Sequence, residues 1–133
     1  MLLGAVFAAG SGYPVFDVDG LLFGINICND LNFPDAAEAV AQTGAVVLVA
    51  PCNNMLPLVV SEKWRGRHNS IRGRRARETG LWLVSSDVSG QRNGRVCYGP
   101  TAAIDPMGLV VDQVPLGTKG VVIVDVARRA SAG

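Results

Sequence analysis

The run AVVLVA at residues 45–50 contains no polar residue. Unbroken apolar runs of this length are typical of strands buried on both faces, which occur mainly in parallel sheets. The segment before it spaces apolar residues at helical intervals between Pro34, a common first helical residue, and Gly44, a common helix stop. LLFGINIC at 21–28 has the composition of a preceding strand. This strand–helix–strand order predicts an α/β fold with right-handed crossovers.

Further elements are predicted on both sides of this unit. Residues 13–18 form a strand that is joined to strand 21–28 through Asp19-Gly20, a strong hairpin signal. Four more strands follow the central unit, at 81–88, 101–105, 109–114 and 120–126.

A second helix is predicted from Lys63 to Thr79, with Gly80 as its stop and Gly66 and Gly73 as interruptions. The segments PCNNMLPLVVSE and SGQRNG are predicted loops, and residues 127–133 a frayed tail after a single domain unit at 1–126.

Composition excludes several classes of protein. The 133 residues are 49% hydrophobic and carry a net charge of +1, so the chain has the apolar mass for a core and no overall charge for nucleic acid. We expect no membrane association, because no apolar run approaches the ~20 residues of a span, and no signal peptide, because a basic n-region is lacking. Three widely spaced cysteines suggest reduced thiols in the cytoplasm and no metal site.

The predicted elements do not cover their own sheet. Two helices can cover one face, whereas several strands are apolar on both faces. A sheet face on the order of 1,000 Å² represents ~25 kcal/mol of gross burial, which exceeds the usual ~5–15 kcal/mol net stability of a domain. We therefore expect another chain, or a segment absent from this sequence, to complete the fold. The isolated chain is predicted to self-associate or aggregate.

Cys28 is the strongest candidate for chemistry. It closes a predicted strand just before a helix, and in open α/β sheets sites gather at the carboxyl ends of strands. Peptide N–H groups at such a turn can hold an oxyanion, and a helix N-terminus favours a thiolate. The alternative is a buried structural thiol, which is common.

The segment GINICNDLNFPD resembles the cysteine motif of the nitrilase superfamily of carbon–nitrogen hydrolases, roughly G-x-x-I-C-x-D-x-x-F-P-E. The residues that match it are Gly24, Ile27, Cys28, Asp30, Phe33 and Pro34, while Asp35 replaces the usual Glu. Further segments are similar to the family in the same order along the chain: FAAGSGYPVFDV, GAVVLVAPCNNM, RRARETGLWLVSSDVSG, GPTAAIDPMGLVV and GVVIVDV.

This resemblance implies half of an α-β-β-α sandwich, built as one mixed sheet with two main helices. It implies hydrolysis of a small-molecule amide, carbamoyl compound or nitrile through a thioester on Cys28, with the backbone N–H of Asn29 contacting the oxyanion. The family's catalytic Glu and Lys precede the cysteine, but no Lys or Glu precedes Cys28 in this sequence. The resemblance implies neither a metal nor an organic cofactor. It does imply a homo-oligomer.

Other residues are assigned supporting roles. Asn53 and Asn54 follow a buried strand and could line the substrate pocket or serve only the turn. We expect Asp30 to hold the turn after Cys28 through backbone N–H bonds. Because they match the family's R-A-x-E pattern, Arg75 and Glu78 are the candidates for an inward ion pair.

Several alternatives remain open. His68 could pair with Cys28 as in thiol proteases, although a polar helix residue is the simpler interpretation. The basic run from Lys63 to Arg77 favours a solvated helix over a nucleic-acid surface, and Cys52 and Cys97 favour packing roles. The chain could also be an inactive assembly subunit, or could pair with a separately encoded N-terminal half that carries the Glu and Lys.

Overall fold

A six-stranded mixed sheet forms the centre of the protein in a computed structural model that describes residues 8–128. The order across this sheet is β1-β2-β3-β5-β8-β9. Its strands are β1 (Phe16–Val18), β2 (Leu21–Ile25), β3 (Val47–Pro51), β5 (Trp82–Ser86), β8 (Ala102–Ile104) and β9 (Val110–Gln113). A smaller sheet has the order β4-β7-β6 and contains β4 (Leu56–Pro57), β6 (Gly90–Arg92) and β7 (Arg95–Cys97).

The three central strands, β2, β3 and β5, are parallel, and the outer pairs are antiparallel. Val47 pairs with both Phe23 and Trp82, so the carboxyl ends of these strands share one sheet edge. The predicted strand–helix–strand unit is confirmed. The predicted hairpin at Asp19-Gly20 is also confirmed, since Val18 pairs with Leu21 and both turn residues have positive φ.

The helices begin with a short 3-10 helix at Cys28–Asn32, followed by α1 (Pro34–Ala41), α2 (Leu58–Trp64) and α3 (His68–Thr79). An apolar cluster of buried residues joins α1 and α3 to one face of the sheet. Val40 of α1, Ala76 of α3, Leu48 of β3 and Leu83 of β5 are fully buried in it. The core therefore lies between the helices and this sheet face.

The second predicted helix differs from the observed one. Helix α2 begins at Leu58, inside the predicted loop, and ends before Gly66, so the polypeptide forms two helices instead of one. Gly73 does not interrupt α3. A Cβ atom at Gly73 would lie 2.7 Å from the carbonyl oxygen of Gly108, so the missing side chain permits close contact with the β8–β9 turn.

Two predictions near the C-terminus and in the loops were wrong. Residues 120–126 form no strand, and Val121 and Ile123 are 83% and 85% exposed. The segment is apolar, but it finds no strand partner among the described residues. SGQRNG, predicted as a loop, contributes strand β6 to the smaller sheet.

The second sheet face is only partly covered. A cavity of about 330 Å³ on this side is lined by sheet residues, among them Val49, Val84 and Ala103, and by Gly120, Val121, Val122 and Val124. Phe16 and Val18 on the outer strand β1 are exposed as well. The predicted imbalance between sheet area and helical cover is thus present in residues 8–128. Most of the predicted tail lies outside the described residues.

Among residues 8–128, no helix combines the length and the apolar character that crossing a membrane requires.

Candidate active site

Cys28 lies just beyond the end of β2 and begins the 3-10 helix. Its φ of 48° places a residue with a side chain in the left-handed region, which is uncommon outside glycine and marks functional sites often enough to be informative. Asp30 stabilises this turn, because its carboxylate accepts the backbone N–H of Ile27 at 2.9 Å. The chain thus turns sharply at the thiol.

A cavity of about 250 Å³ opens beside Cys28. The 3-10 helix, the loop after β3, and helices α2 and α3 form its walls. The lining residues are Cys28, Asn29, Leu31, Asn32, Cys52, Asn54, Leu56, Val60, Trp64, His68, Ile71 and Arg72. The cavity is mainly apolar with a few convergent polar groups, which is typical of small-molecule sites.

Asn54 is brought next to the thiol, whereas Asn53 is not. The Oδ1 atom of Asn54 lies 3.7 Å from Sγ of Cys28. The side chain of Asn53 is exposed, and its Oδ1 accepts the backbone N–H of Met55 instead. The two neighbouring asparagines, predicted together as pocket residues, therefore have different surroundings.

Asp87 holds Asn54 in place. Its Oδ1 accepts the backbone N–H of Asn54 at 3.1 Å, and its Oδ2 accepts Nδ2 of the same residue at 2.5 Å. Arg72 donates to the same Oδ2 at 3.2 Å. The side chains of Arg72 and Asp87 are 2% and 0% exposed. A buried ion pair thus lies directly behind the residue that faces the thiol.

Neither member of this pair is among the predicted site residues, because the basic run that contains Arg72 predicts a solvated helix and Asp87 falls near the end of a predicted strand. A signal for Arg72 was available. Arg72, Gly73, Arg75 and Ala76 are the buried residues of α3, and their spacing marks one helical face. Gly73 and Ala76 are small, uncharged residues on that face, and their spacing is the sequence signal that Arg72 and Arg75 point inward. No comparable signal in the sequence indicated Asp87.

Arg75 and Glu78 are in contact, with NH1 and Oε2 2.8 Å apart. Arg75 is buried, while the side chain of Glu78 is 41% exposed. Arg75 also donates from Nε to the carbonyl oxygen of Leu31 at 2.8 Å. It therefore links α3 to the 3-10 helix that begins at Cys28.

His68 lines the same cavity as Cys28 and stacks on Trp64 with ring centroids 5.6 Å apart. Burial, with a smaller effect of the nearby Arg72 guanidinium, lowers the pKa of His68 from its ordinary value. Within residues 8–128, no hydrogen bond connects His68 to Cys28.

The other two cysteines are held as neutral thiols. Burial raises the pKa of Cys52 to about 11, although Arg72, 3.5 Å from its Sγ, opposes the shift. Burial also raises the pKa of Cys97, whose Sγ donates to Asp87. A thiol with a raised pKa is a poor nucleophile near neutral pH. No three His, Cys, Asp or Glu side chains in the described part of the chain are grouped as metal ligands would be.

Comparisons with known proteins agree with this architecture. The family model described as carbon–nitrogen hydrolase matches residues 2–132. The glutamine-dependent NAD(+) synthetase of Rhodobacter capsulatus is 32% identical over 111 residues, 81% of this chain and 19% of that protein. An (R)-stereoselective amidase from Pseudomonas sp. is 30% identical over 106 residues, which cover 79% of this chain and 36% of the relative.

Among solved structures, a mutant of the amidase from Nesterenkonia sp. AN1 has a TM-score of 0.71 and 24% identity. The match covers 85% of this chain and 42% of that one, whose active-site cysteine carries a Michael adduct of acrylamide. The chain thus spans less than half the length of these proteins. It nevertheless belongs to the carbon–nitrogen hydrolase family, as its resemblance to the nitrilase superfamily predicted.

Proposed function

We propose that Cys28 is the nucleophile of a hydrolase that cleaves a non-peptide C–N bond in a small amide, carbamoyl compound or nitrile. The observation that carries this proposal is the left-handed turn that presents Cys28 to the 250 Å³ cavity. Amidases among the relatives support the same chemistry. We also propose a cytoplasmic location, from the three cysteines, none of which is paired.

For an amide substrate, the proposed reaction has two stages. Sγ of Cys28 loses its proton to a base and attacks the carbonyl carbon, forming a C–S bond. The C–N bond then breaks, and the leaving nitrogen takes a proton and departs as ammonia or an amine. Water attacks the thioester, releasing the acid and restoring the thiol. The backbone N–H of Asn29 is the proposed contact for the oxyanion.

The base and the oxyanion lysine are not assigned to residues of this chain. The family's Glu and Lys precede its cysteine, and the chain spans less than half of its relatives. We propose that a further segment of the same protein, or a separate partner chain, brings them to the cavity beside Cys28. The same segment would cover the exposed apolar side chains of Val121 and Ile123, which lie outside the strands of the sheet.

Cys28→Ala tests the proposal directly. The reading frame upstream of Met1 is first sequenced, and any segment it encodes is included in the expressed protein. Hydrolysis of a panel of amides, carbamoyl compounds and nitriles is measured, and the acyl-enzyme is sought by mass spectrometry. Cys28→Ala is expected to abolish turnover and the adduct, whereas Cys97→Ala should keep both. Full turnover in Cys28→Ala would exclude the thioester.

A non-enzymatic role is the second candidate, favoured by the exposed apolar face. In this alternative the chain is an assembly subunit, as a homo-oligomer or with a partner that covers the sheet. Light scattering of the purified chain tests whether an apolar face is uncovered, and the turnover assay separates the two roles. Self-association is expected in either case, and a stable monomer would contradict the proposed uncovered face. Turnover that requires a copurified Glu- and Lys-bearing chain would identify a split hydrolase.

A further inference from the structure

The amide of Asn54 directly faces the thiol of Cys28. Its Oδ1 lies 3.7 Å from Sγ, and both residues line the cavity. An asparagine amide has an acceptor end and a donor end, and these ends present opposite chemistry to a substrate. Which end points toward Cys28 therefore determines what kind of substrate group the cavity favours.

The buried pair behind Asn54 fixes that orientation. An aspartate carboxylate only accepts hydrogen bonds, and Asp87 accepts from the backbone N, from Nδ2 of Asn54 and from Arg72. If the amide were reversed, its oxygen would face a carboxylate that is 0% exposed, and two acceptors would meet without a proton between them. The oxygen must therefore face the thiol.

From this geometry we infer that Asn54 is a specificity-determining residue, oriented by Asp87 and Arg72 as positioning residues. Its oxygen accepts an N–H of the group that Cys28 attacks. The cavity therefore favours carboxamides and carbamoyl compounds, which carry N–H donors, over nitriles, whose nitrogen only accepts. This inference rests on the proposed role of Cys28 and names the substrate class within it.

Alkylation of Cys28 measures this preference without requiring turnover. Iodoacetamide and iodoacetonitrile react alike: Sγ forms a bond to the CH2 carbon, iodide leaves, and the thiol proton passes to the buffer. The reagents differ in having an amide or a nitrile beside that carbon. Rates at Cys28 are obtained by peptide mass spectrometry on the full chain, and the amide-to-nitrile rate ratio is divided by the ratio for free cysteine.

The corrected ratio is expected to be about 3 to 10, which is the effect of one hydrogen bond on a rate. Asn54→Leu should bring it to about one. Asn53→Leu is the matched control and should leave the ratio unchanged, because Asn53 is exposed and its Oδ1 accepts the N–H of Met55. A corrected wild-type ratio of one, or an unchanged ratio in Asn54→Leu, overturns the inference.

The positioning role has its own test. Asp87→Asn should lower the ratio, because an amide at this position can accept from Nδ2 of Asn54 in one orientation and donate to its Oδ1 in the other, so neither orientation is excluded. The exchanged pair Asn54→Asp with Asp87→Asn should restore it, since an acceptor oxygen again faces Cys28. A purely structural effect would change both alkylation rates together and leave the ratio constant. A lowered ratio that the exchange does not restore would remove Asp87 from the assignment.

This test and the test of the proposed function fail separately. Hydrolysis that persists in Cys28→Ala would exclude Cys28 as the nucleophile. It would not change the amide-to-nitrile alkylation ratio at Cys28 or its dependence on Asn54. Conversely, hydrolysis that depends on Cys28, together with a corrected ratio of one, would keep the proposed function and exclude the role of Asn54.

Discussion

Arg72 and Asp87 form an ion pair in which both side chains are buried, 3.2 Å apart between NH2 and Oδ2. Arg72 reaches further, because its NH1 donates to the carbonyl oxygen of Pro100 at 2.7 Å. One side chain of α3 thus connects β5, the approach to β8 and, through Asp87, the Asn54 that faces Cys28. Removing one charge of such a pair leaves the other unpaired in a medium of low polarity.

Arg72→Met is therefore expected to lower the free energy of unfolding by about 3–5 kcal/mol. Urea denaturation followed by circular dichroism gives the value. Arg74→Met, on the exposed side of the same helix, is the control and should change stability by less than about 0.5 kcal/mol. Adding Asp87→Asn to Arg72→Met should recover part of the loss. If Arg72→Met were as stable as Arg74→Met, the buried pair would not contribute to the fold.

Gly24, in the middle of β2, is expected not to tolerate a side chain. A Cβ atom there would lie 2.5 Å from Cγ1 of Val40, which is completely buried in α1. Gly24→Ala should lower the free energy of unfolding by about 1–3 kcal/mol through overpacking. The measurement is urea denaturation.

Two variants control this prediction. Gly66→Ala introduces the same methyl group where no atom beyond the adjoining residues lies within 4 Å, and we expect a much smaller effect. Val40→Ala should cost less in the Gly24→Ala background than in the wild type, because the two changes share one space. Strictly additive losses would show that Val40 is not what excludes a side chain at Gly24.

Arg75 is expected to contribute more to the stability of the fold than its ion-pair partner Glu78. Arg75→Met removes the hydrogen bond to the carbonyl oxygen of Leu31 as well as the pair with Glu78, and should lower stability by about 2–3 kcal/mol. Glu78→Gln should cost less than about 1 kcal/mol, because the side chain of Glu78 is 41% exposed to solvent. Hydrogen exchange at the 3-10 helix should accelerate only in Arg75→Met. Equal effects of both variants would assign the whole contribution to the ion pair.

The half-buried imidazole of His68 is expected to lower the free energy of unfolding in acid. Its folded-state pKa is lowered below the ordinary value of 6.5, so the unfolded chain binds the proton more readily. The contribution is fully present above about pH 6.5 and is lost as pH falls through the lower folded-state pKa. Unfolding free energies at about pH 7.5 and pH 5.5 should differ less in His68→Gln than in wild type. The same difference in both proteins would contradict the prediction.

The sequence determined the local order of elements and the family. Pro34, the apolar run at 45–50 and Asp19-Gly20 act through neighbouring residues, because helix starts, buried strands and tight hairpins depend on local backbone preferences. The motif around Cys28 likewise lies within one short segment. Such features depend little on what packs against them, so they can be identified from the sequence alone.

Tertiary structure decided the features that join distant segments. Asn54 and Asp87 are separated by 33 residues along the chain, and only the parallel pairing of β3 with β5 brings their loops together. Residues 120–126 have the composition of a strand, but a strand requires a hydrogen-bonding partner, which the described residues do not provide. Likewise, the sequence could place Arg72 on an inward face of α3, but only packing provided the carboxylate that it meets there.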